Sequence, residues 1–214
     1  MNRLNLMDCM EGMSKFPDKY FELAIVDPPY GIGVSKQDNS KRGKLGSHYS
    51  KKEWDIIIPE KKYFDELFRV SKNQIIWGGN YFIENLKNTS CFIVWDKKTV
   101  GYTADCELAW SSFRTAVRKF DFMWEGFWQE NMKQKEIRIH PTQKPVALYR
   151  WLLQNYAKKG DKILDTHVGS GSSLIACWEE GFEYCGFELD EDYYKAACNR
   201  IEEVQAQGRL FTTV

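Results

Sequence analysis

Short apolar runs alternate along this chain with segments whose apolar residues recur three and four positions apart. The runs predict buried strands, and the recurring spacing, as in Phe64, Leu67 and Phe68, predicts helices. Strands are predicted over residues 4–7, 21–26, 74–77, 91–95, 106–110, 161–165 and 183–188, and helices over residues 10–16, 63–70, 81–86, 146–156, 174–180 and 190–205. We expect the tail, residues 208–214, to form a last strand or an arm. This alternation predicts an α/β fold with a doubly wound, mostly parallel sheet.

The composition fits one large folded domain. Of the 214 residues, 43% are hydrophobic and 15% are aromatic, which is enough to build a sizeable core. No apolar run reaches the length of a membrane span, and the first residues lack the apolar core of a signal peptide. The six cysteines include no Cys-x-x-Cys pair, so we expect neither a zinc site nor a disulfide framework. These features predict a cytoplasmic protein that does not enter a membrane.

Positive charge is concentrated in two segments, although the formal net charge of the chain is zero. Within a polar, glycine-punctuated loop at residues 31–53, residues 36–52 carry six cations and a single acid, Asp38. The cations of this loop are Lys36, Lys41, Arg42, Lys44, Lys51 and Lys52. Six further cations are interleaved with aromatic residues between residues 113 and 138, namely Arg114, Arg118, Lys119, Lys133, Lys135 and Arg138. Segregated charge of this kind suits nucleic acid. The alternatives are a solvated loop without a partner and aromatic residues packed in the core.

The predicted site is centred on a strand that ends in Asp27-Pro28-Pro29-Tyr30-Gly31. The two prolines have no N–H to donate to a sheet, and each holds the residue before it extended. In open α/β sheets, ligands bind beyond the carboxyl ends of the strands. We therefore expect the Asp27 carboxylate, the Pro28 carbonyl and the Tyr30 ring to face a binding crevice from a rigid turn.

A second predicted strand, residues 161–165, leads into the loop Gly169-Ser170-Gly171 and then into a helix. Glycines let the backbone approach a ligand closely, and Glu188, 19 residues (188 − 169) after Gly169, ends the next strand and can accept the hydroxyls of a ribose. The third glycine of a dinucleotide-binding loop is missing, because residue 174 is Leu. A carboxylate at Asp165 would crowd a pyrophosphate but suits the ammonium or sulfonium of S-adenosylmethionine. We therefore expect S-adenosylmethionine rather than NAD.

Together these motifs resemble the amino-group DNA methyltransferases, of adenine-N6 or cytosine-N4 type, in the permuted β class. The resemblance covers nearly the whole chain and is carried by Asp27-Pro28-Pro29-Tyr30, by His140-Pro141-Thr142-Gln143-Lys144-Pro145, and by the glycine loop with Glu188. It implies a single methyltransferase domain with a circularly permuted, Rossmann-like fold and a small target-recognition insert at about residues 100–139. Because such an insert reads only a few base pairs, either the target site is short or a homodimer shares the recognition.

The resemblance also implies a role for each matching residue. Asp27, Pro28 and Tyr30 are the implied catalytic residues: the carboxylate and the carbonyl accept the protons of the target amine, and the ring stacks on a base flipped out of double-stranded DNA. The implied cofactor-binding residues are Asp8, Asp27, His140, Thr142, Lys144, Asp165, His167, Gly169, Ser170, Gly171 and Glu188. The charge pattern adds predicted DNA-binding residues, which are Lys36, Lys41, Arg42, Lys44, Lys51, Arg114, Arg118 and Lys119. We expect no metal site.

The glycine loop departs from the family pattern at its start. The family's loop usually opens Asp-Pro-Phe, whereas this chain has Asp165-Thr166-His167. We expect His167 to be a neutral, packed and hydrogen-bonded ring rather than a catalytic base. His140, which has no cluster of metal ligands around it in the sequence, is expected to be structural or to face DNA.

Adenine is the expected target, because Asp rather than Ser precedes Pro-Pro-Tyr in this chain. The alternatives are a cytosine-N4 DNA methyltransferase, an RNA amino-methyltransferase, a non-catalytic DNA-binding module and an NAD oxidoreductase. A cytosine-C5 mechanism is not expected, because it needs a thiol nucleophile and no cysteine of this chain follows a proline.

Overall fold

The structure, a computed structural model, describes residues 2–33, 58–99, 104–125 and 128–211. Its strands are β1 (Asn2–Leu6), β2 (Phe21–Val26), β3 (Ser71–Trp77), β4 (Phe92–Asp96), β5 (Cys106–Ser111), β6 (Arg118–Asp121), β7 (Trp124–Glu125), β8 (Trp128–Gln129), β9 (Lys162–Asp165) and β10 (Glu183–Glu188). Its α-helices are α1 (Cys9–Ser14), α2 (Lys61–Val70), α3 (Val146–Tyr156), α4 (Ser172–Glu179) and α5 (Glu191–Phe211). In these ranges, no helix combines the length and the apolar content that crossing a membrane requires.

Eight strands form one sheet in the order β1-β10-β9-β2-β3-β5-β4-β6. The strands from β1 to β3 in this order are parallel, β5 is antiparallel to both of its neighbours, and β6 is parallel to β4. This confirms the predicted doubly wound, mostly parallel sheet. The chain leaves β9 toward β10 on one side and leaves β2 toward β3 on the other. The point between β9 and β2 is therefore the switch point at which a sheet of this type opens a crevice.

Both faces of the sheet are covered, as a parallel sheet requires. Leu23 and Ile25 of β2 point to one face, and Ala24 and Val26 point to the other, since side chains alternate along a strand. On the first face the strands pack against buried residues of α3 and α4, including Leu148, Leu152, Leu174 and Ile175. On the second face they pack against Met13 of α1 and against Tyr63, Phe64 and Leu67 of α2. The central strands are thus fixed from both sides, and they hold the turns at their ends in place.

Two predicted elements differ from those in the structure. Helix α5 continues to Phe211, so residues 208–211 do not form the expected strand or arm, because they extend the helical register of the preceding turns. The expected helix at residues 81–86 is a pair of short 3₁₀ turns, Gly79–Tyr81 and Ile83–Asn85, which follow a left-handed Gly78.

The segment expected to be a recognition insert is partly sheet. Strands β5 and β6 lie within residues 100–139, yet both belong to the eight-stranded sheet. After β6, the described part of this segment that lies outside the large sheet consists of residues 122–125 and 128–139, which include the hairpin of β7 and β8. The basic loop at residues 31–53 lies outside the described residues from residue 34 onward.

Helix α1 depends on a glycine for its close approach to the sheet. A Cβ atom added at Gly12 would lie 2.5 Å from the ring of Phe187 on β10, which is too close for any real contact. We predict that Gly12→Ala lowers the free energy of unfolding by about 1–3 kcal/mol, because the helix or the ring must shift. Urea unfolding with a fixed m-value measures this change.

The matched control lies on the exposed side of the same helix. Glu11 pairs with Lys15 on the surface, so Glu11→Ala is expected to change the free energy of unfolding by no more than about 0.5 kcal/mol. Equal losses for the two variants would contradict the close packing assigned to Gly12.

Candidate active site

A cavity of about 450 Å³ opens at the carboxyl ends of β1, β2, β9 and β10. It lies at the switch point of the sheet, where the motifs of the sequence converge although they are up to 161 residues (188 − 27) apart. Of the predicted site residues, Asp8, Asp27, His140, Thr142, Lys144, His167, Gly169, Ser170 and Glu188 line this cavity. Pro28, Tyr30, Asp165 and Gly171 are not among its lining residues.

Asp27 stands at the end of β2, in the turn that Pro28 and Pro29 make rigid. Its Oδ1 accepts a hydrogen bond of 2.5 Å from the Tyr30 hydroxyl, and its Oδ2 accepts one of 2.5 Å from the Lys144 ammonium. The Asp27 side chain is 16% exposed. Burial raises the pKa of Asp27 above its ordinary value, while the charge of Lys144 acts in the opposite direction. Pro28 is buried and Pro29 lines the cavity, so the turn presents one carboxylate, held by two donors, to the cavity.

Lys144 is almost completely buried, with 2% of its side chain exposed. Its ammonium also lies 3.1 Å from Glu107 Oε2 and 3.3 Å from the Tyr30 hydroxyl oxygen. Burial alone would lower the pKa of Lys144, but the two carboxylates outweigh it and raise that pKa above its usual value. Lys144 is therefore a largely buried cation in the wall of the cavity, and it neutralises acids of the protein itself.

Tyr30 is held on several sides by other rings. It stacks on Tyr81 with a centroid distance of 5.0 Å and an interplanar angle of 15°, and it meets Phe82 edge-on at 6.0 Å. A Cβ atom at Gly78 would lie 2.2 Å from the Tyr30 ring, and Gly78 has φ +69, so glycine is required there for two reasons. The ring is thus fixed beside Asp27 before any ligand arrives.

The glycine loop and the end of β10 are joined by Glu188. One of its carboxylate oxygens accepts from the N–H of Gly169 at 2.8 Å, and the other accepts from the N–H of Asp190 at 2.9 Å. Burial raises the pKa of Glu188, against these backbone hydrogen bonds. Since a carboxylate has about four acceptor positions, Glu188 keeps capacity for hydroxyl groups of a ligand on its cavity side.

Asp165 does not face the cavity as the sequence suggested. It lies on the same face of β9 as Ile163, under α4, because strand residues alternate between faces. Its carboxylate accepts hydrogen bonds from the Ser173 hydroxyl and from the N–H of His167, and burial raises its pKa to about 7. Asp165 therefore anchors the glycine loop from behind.

His167 is a packed, neutral ring, as expected. Its Nδ1 lies 2.9 Å from the Thr166 hydroxyl oxygen, and its ring meets Tyr63 edge-on at 5.4 Å. Burial lowers the pKa of His167 to about 4, so the imidazole is uncharged at neutral pH. His140 is packed too, with its ring 4.3 Å from that of Tyr193. Both histidines shape the wall of the cavity.

Asp8, predicted to bind the cofactor, is the N-cap of α1. Its Oδ1 accepts hydrogen bonds from the N–H groups of Met10 at 2.8 Å and Glu11 at 3.1 Å. These bonds fix the orientation of the carboxylate at the cavity wall. Asp8 therefore joins a helix start to the ligand cavity.

The start of α3 is occupied by a carboxylate of the chain. Glu136 Oε1 accepts from the N–H of Val146 at 2.9 Å, and its Oε2 pairs with Arg200 at 2.5 Å. Arg200 also donates to the carbonyl of Ser170, 2.9 Å away, and to the hydroxyl of Ser172, 2.8 Å away. The two residues tie the segment after β8 to the glycine loop, and Glu136 occupies the N–H of Val146 at the start of α3.

The sequence did not single out Glu107, Arg200, Glu136 and Tyr81, which the structure brings to the site. A buried lysine needs a carboxylate partner, so the prediction of Lys144 in the cavity could have prompted a search for a second acid. No sequence pattern indicated this role for Glu107, because the residue lies near the start of a segment whose pattern is that of an ordinary strand.

The predicted DNA-binding residues are scattered. Arg114 lines a second cavity of about 540 Å³, beside Lys72 at the opposite edge of the sheet, and is not brought to the site. Arg118 is exposed on the edge strand β6, and Lys119 pairs with Asp96 and Asp121. Lys36, Lys41, Arg42, Lys44 and Lys51 lie outside the described residues.

The residues around the main cavity fit a positively charged ligand of nucleoside size. Four carboxylates line it, those of Asp8, Asp27, Glu188 and Asp190, whereas the charge of Lys144 is taken up by Asp27 and Glu107. The volume of about 450 Å³ lies within the range of sites for small organic ligands. This donor set suits S-adenosylmethionine, which carries an ammonium, a sulfonium and a ribose.

Comparison with known proteins agrees with this geometry. The family model for DNA methylases of the N6/N4 type matches residues 72–199. A chain of Escherichia coli (strain K12) named as a methylase, YubD, is 27% identical over 96% of this chain and 92% of its own length. The type II methyltransferase M2.DpnII of Streptococcus pneumoniae is 26% identical over 91% of this chain and 87% of its own length.

Two solved structures share the fold. TTHA0409 of Thermus thermophilus, named as a DNA modification methylase and solved with S-adenosyl-L-methionine, has a TM-score of 0.61 and 20% identity, covering 95% of this chain and 96% of its own. The cytosine-N4-specific PvuII DNA methyltransferase has a TM-score of 0.62 and 12% identity, covering 95% and 89%. The family model spans more than half of the sequence. The chain therefore belongs to the N6/N4 DNA methylase family, whose members transfer a methyl group from S-adenosylmethionine to an amino group of a DNA base.

Proposed function

We propose that this chain methylates the exocyclic N6 of adenine in double-stranded DNA, on a base that has been flipped out of the duplex. The observation that carries the proposal is the Asp27 carboxylate, held by Tyr30 and Lys144 at the wall of the cofactor cavity. Aspartate rather than serine ahead of Pro-Pro-Tyr supports adenine. Cytosine-N4 is the second candidate, because the structurally similar PvuII enzyme is specific for it.

An amine on a purine is a weak nucleophile, because its lone pair is delocalised into the ring. Acceptors on its two protons favour the pyramidal form, in which the lone pair is free to attack. In the proposal these acceptors are the Asp27 carboxylate and the Pro28 carbonyl, and the rigid turn holds both in place before the base arrives. Asp27 then takes the proton that the amine loses.

S-adenosylmethionine, when bound, supplies a methyl group carried on a positively charged sulfur. The chain's part is to hold the cofactor and the base in line, since positioning alone accounts for a large share of such rate enhancements. Glu188 is proposed to hold the ribose. Asp8, His140, Thr142, His167, Gly169 and Ser170 are proposed to line the remainder of the cofactor.

Tyr30 is proposed to stack on the flipped base. Stacking of a base on an aromatic ring contributes about 1–3 kcal/mol and does not depend strongly on the base. One side of the Tyr30 ring is already covered by Tyr81, so the base must use the other side or displace Tyr81.

The DNA and the methyl donor of this reaction also lead us to propose the cytoplasm as its location. We further propose that the target sequence is recognised by residues 122–139 or by a homodimer.

Transfer of a labelled methyl group tests directly whether the chain methylates DNA. We predict incorporation from tritiated S-adenosylmethionine into double-stranded DNA, less into RNA, and a loss of at least roughly 100-fold for Asp27→Asn, because an amide oxygen accepts a hydrogen bond but cannot take up the proton that the amine loses. Thermal unfolding checks that the variant is folded. Equal incorporation by Asp27→Asn and the unmodified chain would contradict the role of Asp27.

The role of Glu188 is tested by cofactor binding. We predict that Glu188→Gln raises the Kd for S-adenosylmethionine by about 10- to 100-fold, because hydrogen bonds to a charged acceptor are lost. Calorimetric titration measures the constant. The control is Glu183→Gln at the exposed start of the same strand, which should leave the Kd unchanged. A similar Kd for the two variants would remove Glu188 from the cofactor site.

The basic loop is tested by the salt dependence of DNA binding. We predict that the triple substitution Lys41→Ala, Arg42→Ala and Lys44→Ala weakens binding and lowers the slope of log K against log salt by up to roughly three, since fewer counterions are released. Fluorescence anisotropy over a salt series measures this slope. An unchanged slope would show that the three side chains do not contact phosphates.

A further inference from the structure

Four side chains of alternating charge run inward from the proposed catalytic carboxylate. Lys144 Nζ lies 2.5 Å from Asp27 Oδ2 and 3.1 Å from Glu107 Oε2, and Lys97 Nζ lies 2.5 Å from Glu107 Oε1. Each of these side chains is less than a quarter exposed. The ammonium of Lys144 also faces the rings of Tyr30 and Trp77, at 5.7 Å and 5.4 Å. Lys144 is therefore shared between two acids in a site with little water.

The antiparallel strand of the sheet makes this arrangement. Asp27 follows β2 and Lys97 follows β4, and both strands end at the edge where the cavity lies. Strand β5 runs the opposite way between β3 and β4, so its first residues, including Glu107, reach that same edge. Lys144 arrives from the segment ahead of α3 and fits between the two carboxylates.

The position of Lys144 between two carboxylates affects both the protonation and the basicity of Asp27. A buried carboxylate without a cation would be protonated easily, and a protonated acid accepts no amine proton. A carboxylate that holds one lysine alone would be strongly neutralised and would be a weak base. Glu107 draws part of the lysine's charge to itself, and Lys97 in turn balances Glu107, whose pKa falls to about 2 because both lysines outweigh its burial.

We propose that Glu107 is a positioning residue for the methyl transfer, holding the Lys144 ammonium between two carboxylates so that Asp27 stays ionised and yet basic enough to take the proton of the target amine. The inference rests on the proposed function, in which Asp27 accepts that proton. Glu107 acts through Lys144, and the function assigned to the site gives it no direct contact with the base.

Among the residues that the structure describes, the titratable groups that interact with Asp27 enter the test. Besides Lys144 and Glu107, these are Tyr30, Tyr63 and Tyr149, whose pKa values burial raises well above the ordinary range, and Asp165, whose pKa burial raises to about 7. The tyrosines stay neutral between about pH 5 and pH 9, because even an unshifted tyrosine has a pKa of about 10. Asp165 titrates in that window, so the comparison is made between variants that leave it unchanged.

The experiment compares two substitutions with opposite effects on the charge near Asp27. Lys144→Met removes a cation, so the pKa of Asp27 and the acid limb of the kcat profile should move up by about 1–3 pH units. Glu107→Gln removes an anion and leaves Lys144 to Asp27 alone, so the limb should move down by about one unit and the plateau of kcat should fall about tenfold. A purely structural role would not move the two limbs in opposite directions.

A second measurement does not require activity. Carbon-13 NMR of protein labelled at aspartate carboxyl carbons follows the titration of Asp27 directly, and Asp27→Asn identifies its signal. Glu22→Gln is the control, because Glu22 also pairs with a lysine, Lys72, but at the other end of β2. That variant should shift neither the signal nor the profile.

The outcomes separate the inference from the function on which it rests. Opposite shifts of the Asp27 titration in the two variants support the inference. Shifts in the same direction, or none, overturn it, even if Asp27→Asn has lost methyl transfer. Methyl transfer by Asp27→Asn at the unmodified rate overturns the proposed function, whatever the NMR titration shows.

Discussion

The ion pair between Asp27 and Lys144 is the contact on which the rest of the site depends. It joins a turn after the second strand to a segment 117 residues (144 − 27) further along the chain, and it lies where little water reaches. A buried charge of either sign would be costly without the other. The pair therefore fixes the position of both segments and, with them, one wall of the cavity.

The topology of the sheet explains why such distant segments meet. Strands β2 and β9 are neighbours in the sheet although more than 130 residues separate them in sequence, so the Asp27 turn and the glycine loop share one edge. Arg200 and Glu136 then connect the glycine loop to the segment that follows β8. The glycine-loop wall of the cavity, the proposed base-binding turn and the segment that follows β8 are thus parts of one connected framework.

Much of this arrangement could be predicted from the sequence, for physical reasons. The strands β2 and β10 and the helix α3 follow the predicted bounds, because their apolar periodicity is strong and prolines or carboxylates mark their ends. Asp165 was misjudged, since a one-residue alternation along β9 decides whether a strand-ending carboxylate meets the ligand or the helix behind it. Glu107 was missed because its position depends on the placement of an antiparallel strand out of sequence order, which local pattern does not encode.

In the proposed reaction, this site activates an amine of a base and not a ring carbon. Mass spectrometry of nucleosides from DNA modified by the protein tests it most directly, because the position of the methyl group records which atom attacked. We expect N6-methyldeoxyadenosine as the product. N4-methyldeoxycytidine would contradict the choice of adenine, and 5-methyldeoxycytidine would contradict the role given to Asp27 altogether.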